Sequence, residues 1–129
     1  MIHLVTGGSG SGKSAYAEQC ILDFGGTRRV YIATMQPFGA EGQARIARHR
    51  KMRVAKQFST IECYTNLKEV ELEPGSDVLL ECMSNLTANE IFDPSGAGKA
   101  RAEEEILAGV SRLAHQARNL VLVTNEIFS

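Results

Sequence analysis

The sequence lacks the features that usually mark a membrane-bound or exported protein. It has no run near the roughly 20 apolar residues that a membrane span needs, and it does not begin with a basic flank followed by an apolar segment. Its formal net charge is only −1, so the chain as a whole is not built to bind a polyanion. We therefore expect a cytoplasmic protein that neither spans a membrane nor binds nucleic acid.

Cysteine is also scarce. Cys20, Cys63 and Cys82 are an odd number of thiols, and their spacing is not that of a metal site. We predict reduced cysteines in or near a hydrophobic core. A chain of 129 residues, 43% hydrophobic and 22% charged, is long enough for one such core. The sequence thus predicts a single domain over residues 1–129.

Short apolar runs alternate with helical patterns along this chain. The runs at 2–6, 29–33, 58–63, 77–82 and 120–124 predict buried strands. Apolar residues at helical spacing predict helices near 13–24, 41–51, 86–92 and 102–117. This alternation is typical of an α/β domain with a mainly parallel sheet flanked by helices.

A phosphate-binding pattern follows the first predicted strand. The residues Gly7, Gly8, Ser9, Gly10, Ser11, Gly12, Lys13 and Ser14 fit G-x-x-x-x-G-K-[ST] at every fixed position. Glycines let the backbone N–H groups surround an anion, and the following helix adds its positive end. In such a P-loop, Lys13 reaches the β and γ phosphates and the Ser14 hydroxyl binds Mg²⁺. The pattern predicts a nucleoside triphosphate site.

A P-loop also needs an acidic residue near the metal. Glu81 ends the predicted strand 77–82, where ligands bind in open α/β sheets. It is our first candidate for a second Mg²⁺ ligand, although a solvated carboxylate at a strand end remains an alternative. Asp77 begins the same strand and should lie at the opposite edge, and Glu126 is a weaker candidate.

Six basic residues and no acidic one lie between Arg45 and Lys56. Such a run is usually a solvated helix face, but beside a P-loop it can also clamp a triphosphate or a phosphorylated substrate. His49 lies within the run. Neighbouring cations would lower the pKa of its imidazole and keep a lone pair available to attack phosphorus, although a surface histidine is the simpler interpretation. We treat His3 and His115 as structural.

Taken together, these residues resemble one family, the bifunctional adenosylcobinamide kinases/adenosylcobinamide-phosphate guanylyltransferases of cobalamin biosynthesis. The resemblance covers nearly the whole chain in the family's order. It is carried by "LVTGGSGSGKSAYAE", "VYIATMQ", "RIARHRKMR", "STIEC", "VLLECMSNLTANEIF" and "LVLVTNEIFS".

The resemblance implies phosphorylation of adenosylcobinamide with ATP or GTP. It then implies transfer of GMP from GTP, through a guanylylated histidine, to give adenosylcobinamide-GDP. His49 matches that histidine, and Lys13 is the other catalytic residue. Beyond the P-loop, the matching nucleotide-binding positions are Ala33, Thr34, Met35, Arg50, Lys51, Met52, Arg53, Glu62 and Glu81. The resemblance also implies a homotrimer.

The sequence departs from the family pattern at two places. Val54 and Phe58 stand where the family usually has a proline and a tryptophan. Family members also continue past "TNE" with a glycine-containing loop, a helix and a closing strand, so we expect a P-loop domain that lacks this last helix and strand. Their absence should expose an apolar sheet edge or face.

Two alternatives to the bifunctional enzyme remain open at this point. One is another small-molecule P-loop kinase, which would not need His49. The other is a nucleotide-binding module that is inactive because it is truncated.

Overall fold

The structure is a computed structural model that describes residues 2–7, 12–35, 40, 43–44, 46–47, 51 and 57–125. Within these ranges a parallel sheet is flanked by helices. The strands are β1 (Ile2–Gly7), β2 (Arg28–Ala33), β3 (Phe58–Glu62), β4 (Ser76–Glu81) and β5 (Asn119–Asn125). The complete helices are α1 (Lys13–Asp23), α2 (Met83–Phe92) and α3 (Ala102–Gln116), and one 3₁₀ turn spans Leu67–Glu69.

Helix ends coincide with residues suited to them. Gly12 caps α1 with a φ of 81°, a left-handed conformation that glycine adopts without steric cost. At the start of α2, the Cys82 Sγ accepts a hydrogen bond from the Asn85 N–H at 3.4 Å. The first turn of α3 carries Glu103, Glu104 and Glu105, whose charges complement the helix dipole.

The strand order is β1-β5-β4-β2-β3, and every neighbouring pair is parallel. Since all strands point the same way, their carboxyl ends form one edge of the sheet. β5 lies between β1, which leads into the P-loop segment, and β4, which ends at Glu81.

Side chains alternate between the two faces of the sheet and form two cores. On one face, Ala17 and Ile21 of α1 pack against Tyr31, Leu79 and their neighbours. The opposite face packs against α2 and α3 through a larger cluster. Its fully buried side chains include Ile32, Leu67, Val78, Leu80, Leu86 and Leu113.

The predicted α/β class is confirmed, and the sheet is parallel throughout. All predicted strands and the helices near 13–24, 86–92 and 102–117 are present, with ends that differ by a few residues. Of the predicted helix 41–51, the described positions 43, 44, 46, 47 and 51 are helical, and the others lie outside the described residues. Tyr16 of α1 is 64% exposed.

β1 forms one side of the sheet because it pairs only with β5 among the described strands. Its Ile2 and Leu4 align with Leu120 and Leu122 and share their face, but they are 51% and 64% exposed. This edge of the sheet therefore presents two apolar side chains to solvent. Within the described ranges, no helix is both long and apolar enough to cross a membrane.

Candidate nucleotide-binding site

The P-loop segment begins at the carboxyl end of β1 and ends at the start of α1. Gly7 closes β1, Gly12 caps α1 and Lys13 begins the helix. The Gly12 carbonyl accepts the first helical hydrogen bond, from the Tyr16 N–H at 3.1 Å. The predicted positions Gly8, Ser9, Gly10 and Ser11 lie outside the described residues. Ser14 belongs to the first turn of α1, whose N–H groups carry a partial positive charge.

Glu81 ends β4 on the same sheet face as α1. It lies two residues after Leu79, which packs against α1 with Val121 and Val123 of β5. Since residues two apart in a strand share a face, Glu81 extends this row towards the carboxyl edge. The side chain is partly buried. Its Oε2 accepts a hydrogen bond from the Tyr31 hydroxyl at 2.8 Å.

Three of the predicted site residues are neighbours along the carboxyl edge. Ala33 of β2 aligns with Glu81 of β4 on one side and with Glu62 of β3 on the other. Residues aligned in parallel strands point to the same face, so both carboxylates face the side that α1 covers. The structure therefore brings together two glutamates that are far apart in sequence.

Thr34 joins the carboxyl ends of β2 and β4 through hydrogen bonds. Its side chain is fully buried, and its Oγ1 lies 3.1 Å from the Glu81 carbonyl oxygen and 3.0 Å from that of Cys82. The same oxygen accepts a hydrogen bond from the Cys82 N–H at 2.8 Å. The Thr34 carbonyl in turn accepts one from the Asn89 amide at 2.8 Å. The Thr34 hydroxyl thus holds backbone, while the adjacent Met35 is 39% exposed.

Glu62 lies beside a surface groove. The groove has a volume of about 540 Å³ and lies next to the end of β3, lined by Glu62, Tyr64, Asn66 and their neighbours. The Tyr64 hydroxyl donates a hydrogen bond to Glu62 Oε2 at 3.2 Å, in an exposed setting. The groove is large enough to hold part of a small-molecule ligand.

A buried glutamate stabilises the wall of this groove. Glu90 of α2 is 1% exposed, and its two carboxylate oxygens accept backbone N–H groups of Asn66 at 3.1 Å and Ala97 at 3.0 Å. Nearby, burial raises the pKa of the Cys63 thiol to about 11, and the negative charge of Glu90 adds to this. Cys63 is therefore a protonated structural thiol. Neither Cys20 nor Cys82 is in a disulfide.

The basic segment is described only at single positions. Lys51 is an exposed helical residue. His49, Arg50, Met52 and Arg53 lie outside the described residues, and so does Glu126, so their predicted roles stay predictions. His3 stacks on Phe24 with ring centroids 5.3 Å apart, and Nδ1 of the exposed His115 lies 2.8 Å from the Ser111 carbonyl oxygen. Both are structural contacts.

The described residues can supply oxygen ligands for a magnesium ion. Mg²⁺ commonly keeps several waters and binds through one or two carboxylates and the phosphates of a nucleotide. The Glu81 carboxylate, on the α1 face of the sheet, fits that donor set. Within the described part of the chain there is no cluster of three His, Cys, Asp or Glu side chains that could form a metal site on its own.

Sequence reasoning missed the residues that hold this edge together. Tyr31, Asn89 and Glu90 were not singled out, and for Thr34 only a place in a nucleotide-contacting loop was predicted, not its hydrogen bonds to the end of β4. For Tyr31 a signal was present, because it lies two residues before Ala33 and so shares its face.

Comparison with known proteins identifies the family. A family model described as cobinamide kinase / cobinamide phosphate guanyltransferase matches residues 3–129. The bifunctional adenosylcobalamin biosynthesis protein CobU of Escherichia coli K12 is 35% identical over 140 residues, covering 98% of this chain and 76% of the relative. CobU of Salmonella typhimurium LT2 is 36% identical with the same coverage. CobP of Pseudomonas aeruginosa PAO1 is 33% identical over 131 residues, covering 98% of this chain and 72% of the relative.

Proposed function

Because the chain belongs to the cobinamide kinase / cobinamide phosphate guanyltransferase family, we propose that it phosphorylates adenosylcobinamide with ATP or GTP. It then transfers GMP from GTP to the new phosphate, giving adenosylcobinamide-GDP. The observation that carries the proposal is the placement of Glu81 and Glu62 on the α1 face of the carboxyl edge of the sheet, the edge at which β1 ends and α1 begins.

In the kinase step, the P-loop backbone and the start of α1 hold the triphosphate. Lys13 offsets the negative charge that develops on the transferred phosphoryl group. Ser14 and Glu81 are the residues that would hold Mg²⁺, which supplies further charge stabilisation when bound. Glu62 and Glu81, with the segment Ala33–Met35, position the nucleotide along the edge.

In the guanylyl step, His49 is the nucleophile. A neutral imidazole nitrogen attacks the α phosphorus of GTP, the bond from that phosphorus to the bridging oxygen breaks, and pyrophosphate leaves. A phosphate oxygen of the phosphorylated substrate then displaces the histidine from the same phosphorus. The cations Arg50, Lys51 and Arg53 would stabilise the charge on the attacked phosphate. Met52 lies within the same nucleotide-binding stretch.

The proposal includes a homotrimer in the cytoplasm. The exposed Ile2 and Leu4 on β1 are apolar surface that association would remove from water. Cys20, Cys63 and Cys82 form no disulfide, which is consistent with the reducing environment of a cytoplasm. Sedimentation velocity would give the assembly state directly.

The experiment that tests the function is incubation with Mg²⁺ and GTP labelled at the α phosphate, followed by denaturation. We expect protein-bound label that is labile to acid and stable to alkali, as a histidine phosphoramidate is. The label should disappear in His49→Ala and persist in the matched control His115→Ala, which removes an exposed helical histidine.

A chain that binds GTP but acquires no label would overturn the guanylyl step. Transfer of label from γ-labelled ATP to adenosylcobinamide would then identify a kinase alone. Binding without either transfer would identify a nucleotide-binding module.

A further inference from the structure

We propose that Tyr31 is a positioning residue that sets the orientation of the Glu81 carboxylate for magnesium and the nucleotide. The inference rests on the proposed function, since it assigns Glu81 to that site. Tyr31 itself is placed beneath the site, within the sheet face, and so acts through Glu81.

The ring of Tyr31 is fixed by its surroundings. The residue is 6% exposed and packs in the cluster formed with α1, which includes Phe58, Leu79 and Val121. A buried tyrosine ring fixed in this way has one polar atom, the hydroxyl, which needs a hydrogen-bond partner. At 2.8 Å, Glu81 Oε2 provides one.

The register of the strands explains why the hydroxyl reaches this carboxylate. Tyr31 aligns with Leu79, two residues before Glu81 on the same face of β4. The long tyrosine side chain therefore runs diagonally along the face towards the carboxyl edge. A phenylalanine would fill the same space but end short of the carboxylate.

The main chain of Glu81 is held by other contacts. Thr34 donates its N–H to the Glu81 carbonyl at 3.3 Å, and its hydroxyl binds the backbone of Glu81 and Cys82. Loss of the Tyr31 hydroxyl should therefore remove one contact that orients the carboxylate without moving the strand. Removing the Tyr31 hydroxyl therefore tests the orientation of the Glu81 side chain without testing the stability of the fold.

A hydrogen bond to a charged acceptor is stronger and more directional than one between neutral groups. Glu has three side-chain torsions, and their freedom would otherwise let the carboxylate sample positions away from the ion. Residues that orient a metal ligand typically change metal affinity by about 10- to 100-fold when they are removed. We expect Tyr31→Phe to lie at the lower end of that range, because Ser14 and the phosphates would still bind the ion.

The test is a titration of the GTP-bound chain with Mg²⁺, together with GTP binding in EDTA. Tyr31→Phe should need about 10-fold more Mg²⁺ for half-saturation, while GTP binding in EDTA stays within about twofold of the parent chain. Tyr64→Phe is the matched control, because it removes the same hydroxyl from the exposed pair with Glu62. It should leave the Mg²⁺ requirement unchanged.

A double variant makes the test specific to Glu81. In a Glu81→Gln background, Tyr31→Phe should cause no further change in the Mg²⁺ requirement. If Glu81→Gln raises the requirement and Tyr31→Phe does not, the positioning role is wrong and the proposed site survives. Equal weakening with and without Mg²⁺ would overturn the positioning role in favour of a purely structural one. If the parent chain shows no GTP binding, the proposed function itself fails.

Discussion

The two ends of β4 hold carboxylates in opposite ways. At the amino end, Asp77 is fully buried, with Oδ1 3.0 Å from the Asn119 amide and 3.7 Å from the Arg118 Nε. At the carboxyl end, Glu81 is only partly buried, and a neutral phenol donates to one of its oxygens. The Arg118 guanidinium is a cationic partner of Asp77, whereas the Tyr31 hydroxyl is a neutral donor that orients the Glu81 carboxylate. The first arrangement suits structure and the second suits a ligand site.

The largest effect should come from removing the buried carboxylate at the amino end. Asp77→Ala should lower the free energy of unfolding by about 3 kcal/mol, the low end for breaking a buried pair. The low end applies because Arg118 is half exposed and regains water. Urea unfolding would measure the loss, and a loss below about 1 kcal/mol would show that this pair contributes no more than a surface one.

A second substitution, at Gly26, tests the packing around the Asp77 carboxylate at the amino end of β4. A Cβ on Gly26 would overlap the Asp77 carboxylate, so Gly26→Ala should destabilise the chain by about 2 kcal/mol through overpacking. In an Asp77→Ala background that cost should largely disappear. A cost that persists there would place the strain in the backbone.

At the carboxyl end, removal of the Thr34 hydroxyl should cost less. Thr34→Val keeps the shape but leaves the buried Cys82 N–H without its hydroxyl acceptor, which should cost about 1–2 kcal/mol. Thr34→Ser retains the hydroxyl and is the matched control. Thermal and urea unfolding of both variants would compare them, and equal stability of the two would rule out a contribution from this hydrogen bond.

The last expected effect is a pH dependence at the same edge. The pKa of Cys63 is raised from 9.0 to about 11 in the folded chain, so the folded state holds this proton more tightly than the unfolded state does. The resulting stability is complete below about pH 9 and is lost as pH rises towards 11. The free energy of unfolding should therefore fall more steeply over that interval in the parent chain than in Cys63→Ala. Parallel slopes would contradict the shift.

The elements were predictable because each carries a local signal. Apolar runs ending at glycine mark β1, and an apolar stripe with three glutamates in its first turn marks α3. Strand order has no such local signal, and neither does the hydrogen bond between Tyr31 and Glu81, which are 50 residues apart. Glu90 shows the same limit. The helix that contains Glu90 was predictable. The burial of the Glu90 carboxylate was not, because it depends on the backbone N–H groups of Asn66 and Ala97.

The residues of the candidate site also differ in whether a local sequence signal identifies them. The P-loop pattern and the acidic end of β4 could be identified from residue types and spacing alone. Glu62 was placed only by the resemblance, and the structure puts it next to Ala33 in register. The sequence could not predict the buried groups whose hydrogen bonds stabilise the carboxyl edge of the sheet. Their partners become neighbours only when the sheet assembles.

The strand order has a consequence for the order of events during synthesis. Among the described strands, β1 joins the sheet only through β5, and Ile2 aligns with Leu120. A ribosome therefore releases the P-loop segment first, but the strand that must lie beside it comes more than 100 residues later. Contacts between such distant segments are slow to form. The strand that leads into the candidate P-loop is thus translated early in this domain but is paired only after β5 has been made.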